Sequence, residues 1–225
     1  MKNKIRNFFF TFFCILLISS NIIADDEFIF DVTEIEILED GNLINGYKGG
    51  TATTEDNSSI TAENFSYNKL TNILKAEGNV KYLDKIKDIV ITSDKVIYFK
   101  NDEKVLTFGN SKVVSENNTI TSSSLEYYKT SNIFKAKDNV ILNDFVKDAI
   151  IYTNEITYLK SEEKVFTIGK TRALIEKKYI FNSEDVTYFR NDEDIFSQKK
   201  SSIEDDNGNI YNLDSFLYNI EKELL

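Results

Sequence analysis

Four carboxylates recur at one place in a repeating pattern: Glu63, Asp94, Glu184 and Asp214. Paired carboxylates do the work of glycosidases, and acids repeated on a scaffold also ligate calcium. Ser123 and Asn154 hold the same place in the other two copies. A short polar residue used once per repeat at a strand start, and not always acidic, has the character of a corner residue. Calcium ligation and acid catalysis are lesser readings of it. A tyrosine follows each of the six by four residues: Tyr67, Tyr98, Tyr127, Tyr158, Tyr188 and Tyr218. That column reads as core or groove lining, with carbohydrate stacking the lesser alternative. Other chemistry is shut out by composition. The chain has no histidine, so no nucleophile–imidazole–acid relay can form. Its one cysteine, Cys14, lies in an N-terminal apolar stretch, which removes thiol chemistry and Cys/His zinc sites from the rest. Gly49-Gly50 reads as a turn and not as a phosphate loop. No catalytic residue, metal or cofactor is expected.

The elements that carry these columns repeat about every 30 residues. Taking Ile60, Ile91, Ile120, Ile151, Phe181 and Tyr211 as starting points, the spacings are 31, 29, 31, 30 and 30. Five residues after each start comes an apolar side chain: Phe65, Val96, Leu125, Ile156, Val186 and Phe216. Fourteen after come Leu74, Val105, Phe134, Val165, Ile195 and Leu225, then the smaller Ala76, Thr107, Ala136, Thr167 and Ser197 two further on. Glycine follows at Gly78, Gly109 and Gly169, with Asp138 and Lys199 as exceptions. A double period of about sixty residues is superimposed, since Asn72–Ala76 echoes Asn132–Ala136 and Glu103–Val105 echoes Glu163–Val165. Side chains alternate with period two along a strand, so positions five and seven share a face, as do fourteen and sixteen. Asn68-Lys69 and Lys100–Glu103 supply turn residues between them. Each unit is therefore strand, turn, strand, turn, and such a unit buries its apolar face only by stacking on its neighbours. The predicted fold is all-β, a repetitive solenoid.

Bulk composition places the chain. It has 225 residues, a net charge of -10 and 41% hydrophobic residues. Residues 1–24 read as a signal peptide: Lys2, Lys4 and Arg6 precede the apolar stretch Phe8–Ile18, which is short for a membrane span, and Ala24 precedes Asp25 and Asp26. A retained N-terminal anchor is the lesser reading. Removing three cations and no acids from a chain at -10 leaves -13, with no cysteine and no disulfide. That acidity disfavours nucleic acid as a partner and attachment to an anionic membrane surface. Residues 25–59 read as a degenerate first repeat or cap, and residues 60–225 as the repeat domain with an incomplete last unit, whose open edge can recruit another strand.

With these columns laid out, the sequence resembles the OstA-like family of lipopolysaccharide transport and assembly proteins. The family pattern of small residue, acid, apolar residue and tyrosine stands here as Ala62-Glu63-Asn64-Phe65-Ser66-Tyr67 and as Ser93-Asp94-Lys95-Val96-Ile97-Tyr98. Its partner pattern stands as Leu74-Lys75-Ala76-Glu77-Gly78-Asn79-Val80, with a diverged copy at Phe134–Val140 that has lost the glycine. The resemblance spans residues 28–225 and implies a β-jellyroll, or folded taco, with an apolar interior for the acyl chains of lipid A. It further implies a periplasmic location associated with the outer membrane, lipopolysaccharide as cargo, and other β-jellyroll proteins of the same bridge as partners through edge strands. The groove-lining residues it implies are Phe65, Tyr67, Leu74, Val96, Tyr98, Val105, Leu125, Tyr127, Phe134, Ile156, Tyr158, Val165, Val186 and Tyr188. A soluble bridge protein, a membrane-anchored component and the N-terminal part of an outer-membrane assembly protein all fit the pattern. A secreted solenoid that binds or cleaves polysaccharide, or a purely structural repeat protein, is the alternative.

Overall fold

The computed structural model describes residues 28–223; the expected signal segment and Leu225 lie outside them. The strands are β1 (Ile29–Leu38), β2 (Leu43–Thr53), β3 (Ser59–Ala62), β4 (Asn64–Asn68), β5 (Ile73–Asp84), β6 (Ile89–Phe99), β7 (Lys104–Val114), β8 (Asn118–Tyr128) and β9 (Ile133–Asp144). They continue as β10 (Ala149–Leu159), β11 (Lys164–Ile175), β12 (Tyr179–Glu184), β13 (Thr187–Phe189), β14 (Asp194–Ser197), β15 (Ser201–Glu204), β16 (Ile210–Leu213) and β17 (Phe216–Asn219). All belong to one antiparallel sheet that meanders, each rung pairing with the next. Four short pairs, β3 with β4, β12 with β13, β14 with β15 and β16 with β17, are each two halves of one rung. The fold is all-β, a repetitive jellyroll of strand–turn–strand units.

Every long rung breaks register at its middle. The slips fall at Glu77/Val80 on β5, Thr92/Lys95 on β6, Phe108/Ser111 on β7, Thr121/Ser124 on β8 and Thr153/Glu155 on β10. A β-bulge bends its strand, and bulges stacked rung upon rung make a continuous crease. The backbone there takes positive φ at Gly78, Asn79, Gly109, Asn110, Asp138, Asn139 and Gly169, the residue types for which that conformation is least costly. On β6, β8 and β10 the bulge also shifts the inward parity, while on β5, β7, β9 and β11 it skips one inward place. On β6 the buried residues run Ile89, Ile91 and Ser93, then Val96 and Tyr98. Both halves of each strand therefore face the same interior.

The sheet closes on itself about this crease into two leaves. In the first, Tyr67, Leu74, Tyr98, Val105, Tyr127, Phe134, Tyr158, Val165 and Tyr188 are consecutive cross-strand partners. In the second, Ile60, Tyr82, Ile91, Val113, Ile120, Leu142, Ile151, Ala173 and Phe181 form the matching row. Rings meet across the gap: Tyr82 lies 6.3 Å from both Tyr98 and Tyr127, and Phe181 lies 5.2 Å from Phe216.

Candidate functional site

All fourteen residues expected to line the groove point into this interior and are buried, none more than 3% exposed. They form two straight cross-strand rows of the tyrosine leaf. One alternates tyrosine with an aliphatic or Phe134; the other sets Phe65, Val96, Leu125, Ile156 and Val186 against the small Ala76, Thr107, Ala136 and Thr167. The small residues sit beside the crease, where the leaves converge. Their hydroxyls pair across the bend, with Thr107 Oγ1 2.6 Å from Ser111 Oγ and Thr167 Oγ1 2.7 Å from Thr171 Oγ1.

The interior also takes in buried residues outside the expected set. The isoleucine leaf supplies Ile60, Ile91, Ile120, Ile151 and Phe181, the starting points of the repeat, together with Val80, Tyr82, Val140 and Leu142. Alternation after the bulge was the available signal: Val80-Lys81-Tyr82 and Val140-Ile141-Leu142 resume an inward period two residues late. The interior opens at the β16–β17 end into a cavity of about 290 Å3 lined by Tyr179, Phe181, Ile203, Tyr211 and Tyr218, among others.

Opposite the crease, the free margins of the leaves meet along a polar seam built twice, once per double repeat. Asp84 closes β5 and Asp144 closes β9; both are fully buried. Asp84 Oδ1 accepts from the amides of Ile86 and Lys87 at 3.1 and 3.0 Å, while its Oδ2 accepts from Tyr127 across the gap at 3.3 Å. Asp144 repeats the arrangement, with the amides of Val146 and Lys147 at 3.1 and 3.2 Å and Tyr188 at 3.2 Å. Arg190 adds Nε to Asp144 Oδ2 at 2.6 Å, pairs with Glu163 and donates to Tyr158 Oη at 2.9 Å. At the equivalent place in the earlier copy, Lys129 pairs with Asp56 and lies 4.0 Å from Glu103. Lys147 pairs with Glu193 further along.

The seam explains why the column is tyrosine and not phenylalanine. In Tyr67, Tyr127, Tyr158 and Tyr188 the ring fills the apolar space while the hydroxyl donates to a polar group at the margin; the buried Tyr218 hydroxyl has no such partner among the described residues. Burial pushes the Tyr98, Tyr127, Tyr158 and Tyr188 phenols above their ordinary range, with Asp84 or Asp144 adding to the effect. Burial pulls Lys129 down. Burial also disfavours the Arg190 cation, but Asp144 and Tyr158 outweigh it and leave the group above its usual value.

The recurrent acids lie at the crease, outside the interior. Asn79 Nδ2 donates to Glu63 Oε1 at 2.6 Å, Asn110 Nδ2 to Asp94 Oδ2 at 2.9 Å and Asn139 Nδ2 to Ser123 Oγ at 3.4 Å. Each tethers one bulge to the next. Among the described residues no group of three or more acids, histidines or cysteines is placed to hold a metal ion.

These features define a folded antiparallel jellyroll with a continuous apolar interior. No family model matches the chain, and no curated protein does. Among solved structures it is similar to LptH of Pseudomonas aeruginosa, described as the LptA-homologous periplasmic component of the lipopolysaccharide transport device. The TM-score is 0.46 at 15% identity, over 51% of this chain and 84% of that one.

Proposed function

We propose that this chain is a non-enzymatic component of lipopolysaccharide transport, holding the acyl chains of lipid A between its leaves in the periplasm on the way to the outer membrane. The observation that carries this reading is the interior itself. Two apolar leaves run unbroken through every rung from β3 to β15, and the polar groups are confined to the crease and the seam. Each buried methylene is worth about 0.8 kcal/mol, so an acyl chain crosses an aqueous space only inside such a lining. In the described structure the lining side chains fill the space themselves, so admission of an acyl chain requires the leaves to part.

The partners we propose are other jellyrolls, joined edge to edge. Among the described strands β1 pairs with β2 alone, and its Ile29, Ile35 and Ile37 are 70%, 53% and 60% exposed. An unpaired strand with exposed apolar residues is a template for strand addition.

The test is a photo-crosslinking amino acid at Tyr98 or Phe134 in cells. Labelling of lipopolysaccharide from these inward positions, and not from the outward Lys75, is the expected result. Failure to label from any inward position of either leaf would overturn the reading.

A further inference from the structure

A depression of about 740 Å3 lies on the outer side of the crease, against β10, β11 and β12 and the bend between β14 and β15. Lys170, Arg172, Lys199 and Lys200 converge on it against one lining carboxylate, Glu184, although acids outnumber Lys and Arg 37 to 27 in the chain. Lys199 pairs with Asp185 at 3.6 Å; Lys170, Arg172 and Lys200 have no ion-pair partner among the described residues. Arg172 stands over the Tyr152 ring at 5.7 Å, which steadies its guanidinium.

The loop Gln198–Lys200 is built on buried hydroxyls. Ser197 Oγ donates to Glu184 O at 2.6 Å and accepts from Lys199 N at 3.0 Å. Ser201 Oγ donates to Lys199 O at 2.8 Å and sits 2.8 Å from Ser183 Oγ. The lysines are thus presented from a fixed frame.

An internal control comes from the repeat. One double unit earlier, an equivalent depression of about 620 Å3 is lined by Asn110, Lys112, Ser123 and Asn139, among others. There Asn110 stands at the place of Lys170, Lys112 at that of Arg172, Asp138 at that of Lys199 and Asn139 at that of Lys200. Asn110 and Asn139 spend their amides on the crease, bonding Asp94 and Ser123. The same bend therefore forms with Lys112 as its one lining cation, and the fold does not call for the extra cations.

We infer that the groove at Lys170, Arg172 and Lys200 is a binding site for a phosphate-bearing anion. The Arg172 fork takes two phosphate oxygens, and the lysines neutralise the remaining charge. Three unpaired cations suit a multiply charged phosphate or pyrophosphate better than a single carboxylate. The site lies on the outside of the sheet, opposite the seam, so it does not depend on the lipid-carrying role of the interior.

The test is calorimetric titration of the protein with sodium pyrophosphate. Flotation with phosphatidylcholine vesicles containing phosphatidic acid runs in parallel. All substituted positions are exposed, so the fold is retained. Saturable binding is expected that weakens with salt, weakens at least about tenfold in K170Q/R172Q/K200Q and changes less than about twofold in K112Q. Co-flotation that the triple substitution abolishes assigns the phosphate to a lipid headgroup. Pyrophosphate binding without flotation assigns it to a soluble ligand. Absence of saturable binding in both arms, or equal binding by the triple variant, overturns the proposal.

Discussion

Asp144 and Arg190 meet across the seam at 2.6 Å, although one closes β9 in the isoleucine leaf and the other follows β13 in the tyrosine leaf. Their side chains are 0% and 7% exposed, so removing Arg190 leaves Asp144 buried without a cation, and removing Asp144 leaves Arg190 with Glu163 as its remaining carboxylate. Breaking a buried pair from one side costs on the order of 3 kcal/mol, whereas replacing both members costs far less. Arg190→Met and Asp144→Asn are each expected to lower stability by about that amount in urea unfolding, and the double variant by clearly less than the two together. Strict additivity would show that the pair does not couple the leaves.

The buried phenols set a pH limit. Tyr82, Tyr98, Tyr127, Tyr158, Tyr188 and Tyr218 all have raised pKa values, burial being the largest cause in each. A raised folded-state pKa means the unfolded chain loses the proton first. The stability is then complete below the ordinary phenol value of 10.0 and falls as pH rises past it. Lys129, whose pKa burial lowers, works in the opposite sense, but it is one group against six. Thermal melts are expected to hold steady from neutrality to about pH 9 and to drop steeply above about pH 10. A melting temperature that does not fall there would contradict the burial of these rings.

Gly78 and Glu63 depend on each other at the crease. Gly78 has φ of +85°, and a Cβ there would lie 2.5 Å from Glu63 Oε2. The repeat shows how a side chain is accommodated: Asp138 occupies the equivalent place at φ of 63°, and the facing residue is the shorter Ser123. Gly78→Asp alone is expected to destabilise by about 1–3 kcal/mol. Adding Glu63→Ser should recover most of that loss in chemical denaturation, since the pair then copies the later unit. No recovery would place the cost in the backbone and not in the contact.

The tyrosine leaf was legible because its columns keep one spacing through six units. Phe65 and Tyr67, like Val186 and Tyr188, sit two apart and face one way, which period-two alternation reads directly. The isoleucine leaf was not legible in the same way. On β5 the bulge adds two residues between Ala76 and Val80, so the inward alternation skips Gly78, and on β6 it changes parity between Ser93 and Val96, which breaks the single spacing the columns follow. The acids were readable as corners, since a residue that alternates among Glu, Asp, Ser and Asn keeps only its short polar reach, and that reach ties the bulges. The seam was hidden because its partners lie 43–46 residues apart, as in Tyr127–Asp84 and Arg190–Asp144, and meet only once the sheet has folded over. The double period of about sixty residues was its one trace in the sequence.

The two seam tyrosines separate two routes into the interior. Tyr127→Phe and Tyr188→Phe keep the rings and remove only hydroxyls. Asp84 Oδ2 then loses its cross-leaf donor, while Asp144 Oδ2 keeps Arg190. The first substitution is therefore expected to cost about 1–3 kcal/mol and the second less, because an acceptor left without a partner is what carries the penalty. If acyl chains enter by parting the leaves, the double variant admits them more readily with an unchanged apolar lining. A fluorescent fatty-acid probe should then reach the interior faster than in the parent protein, and this is the expected result. A lower stability with an unchanged rate would instead place admission at the β16–β17 end, through the cavity beside Tyr179 and Tyr218.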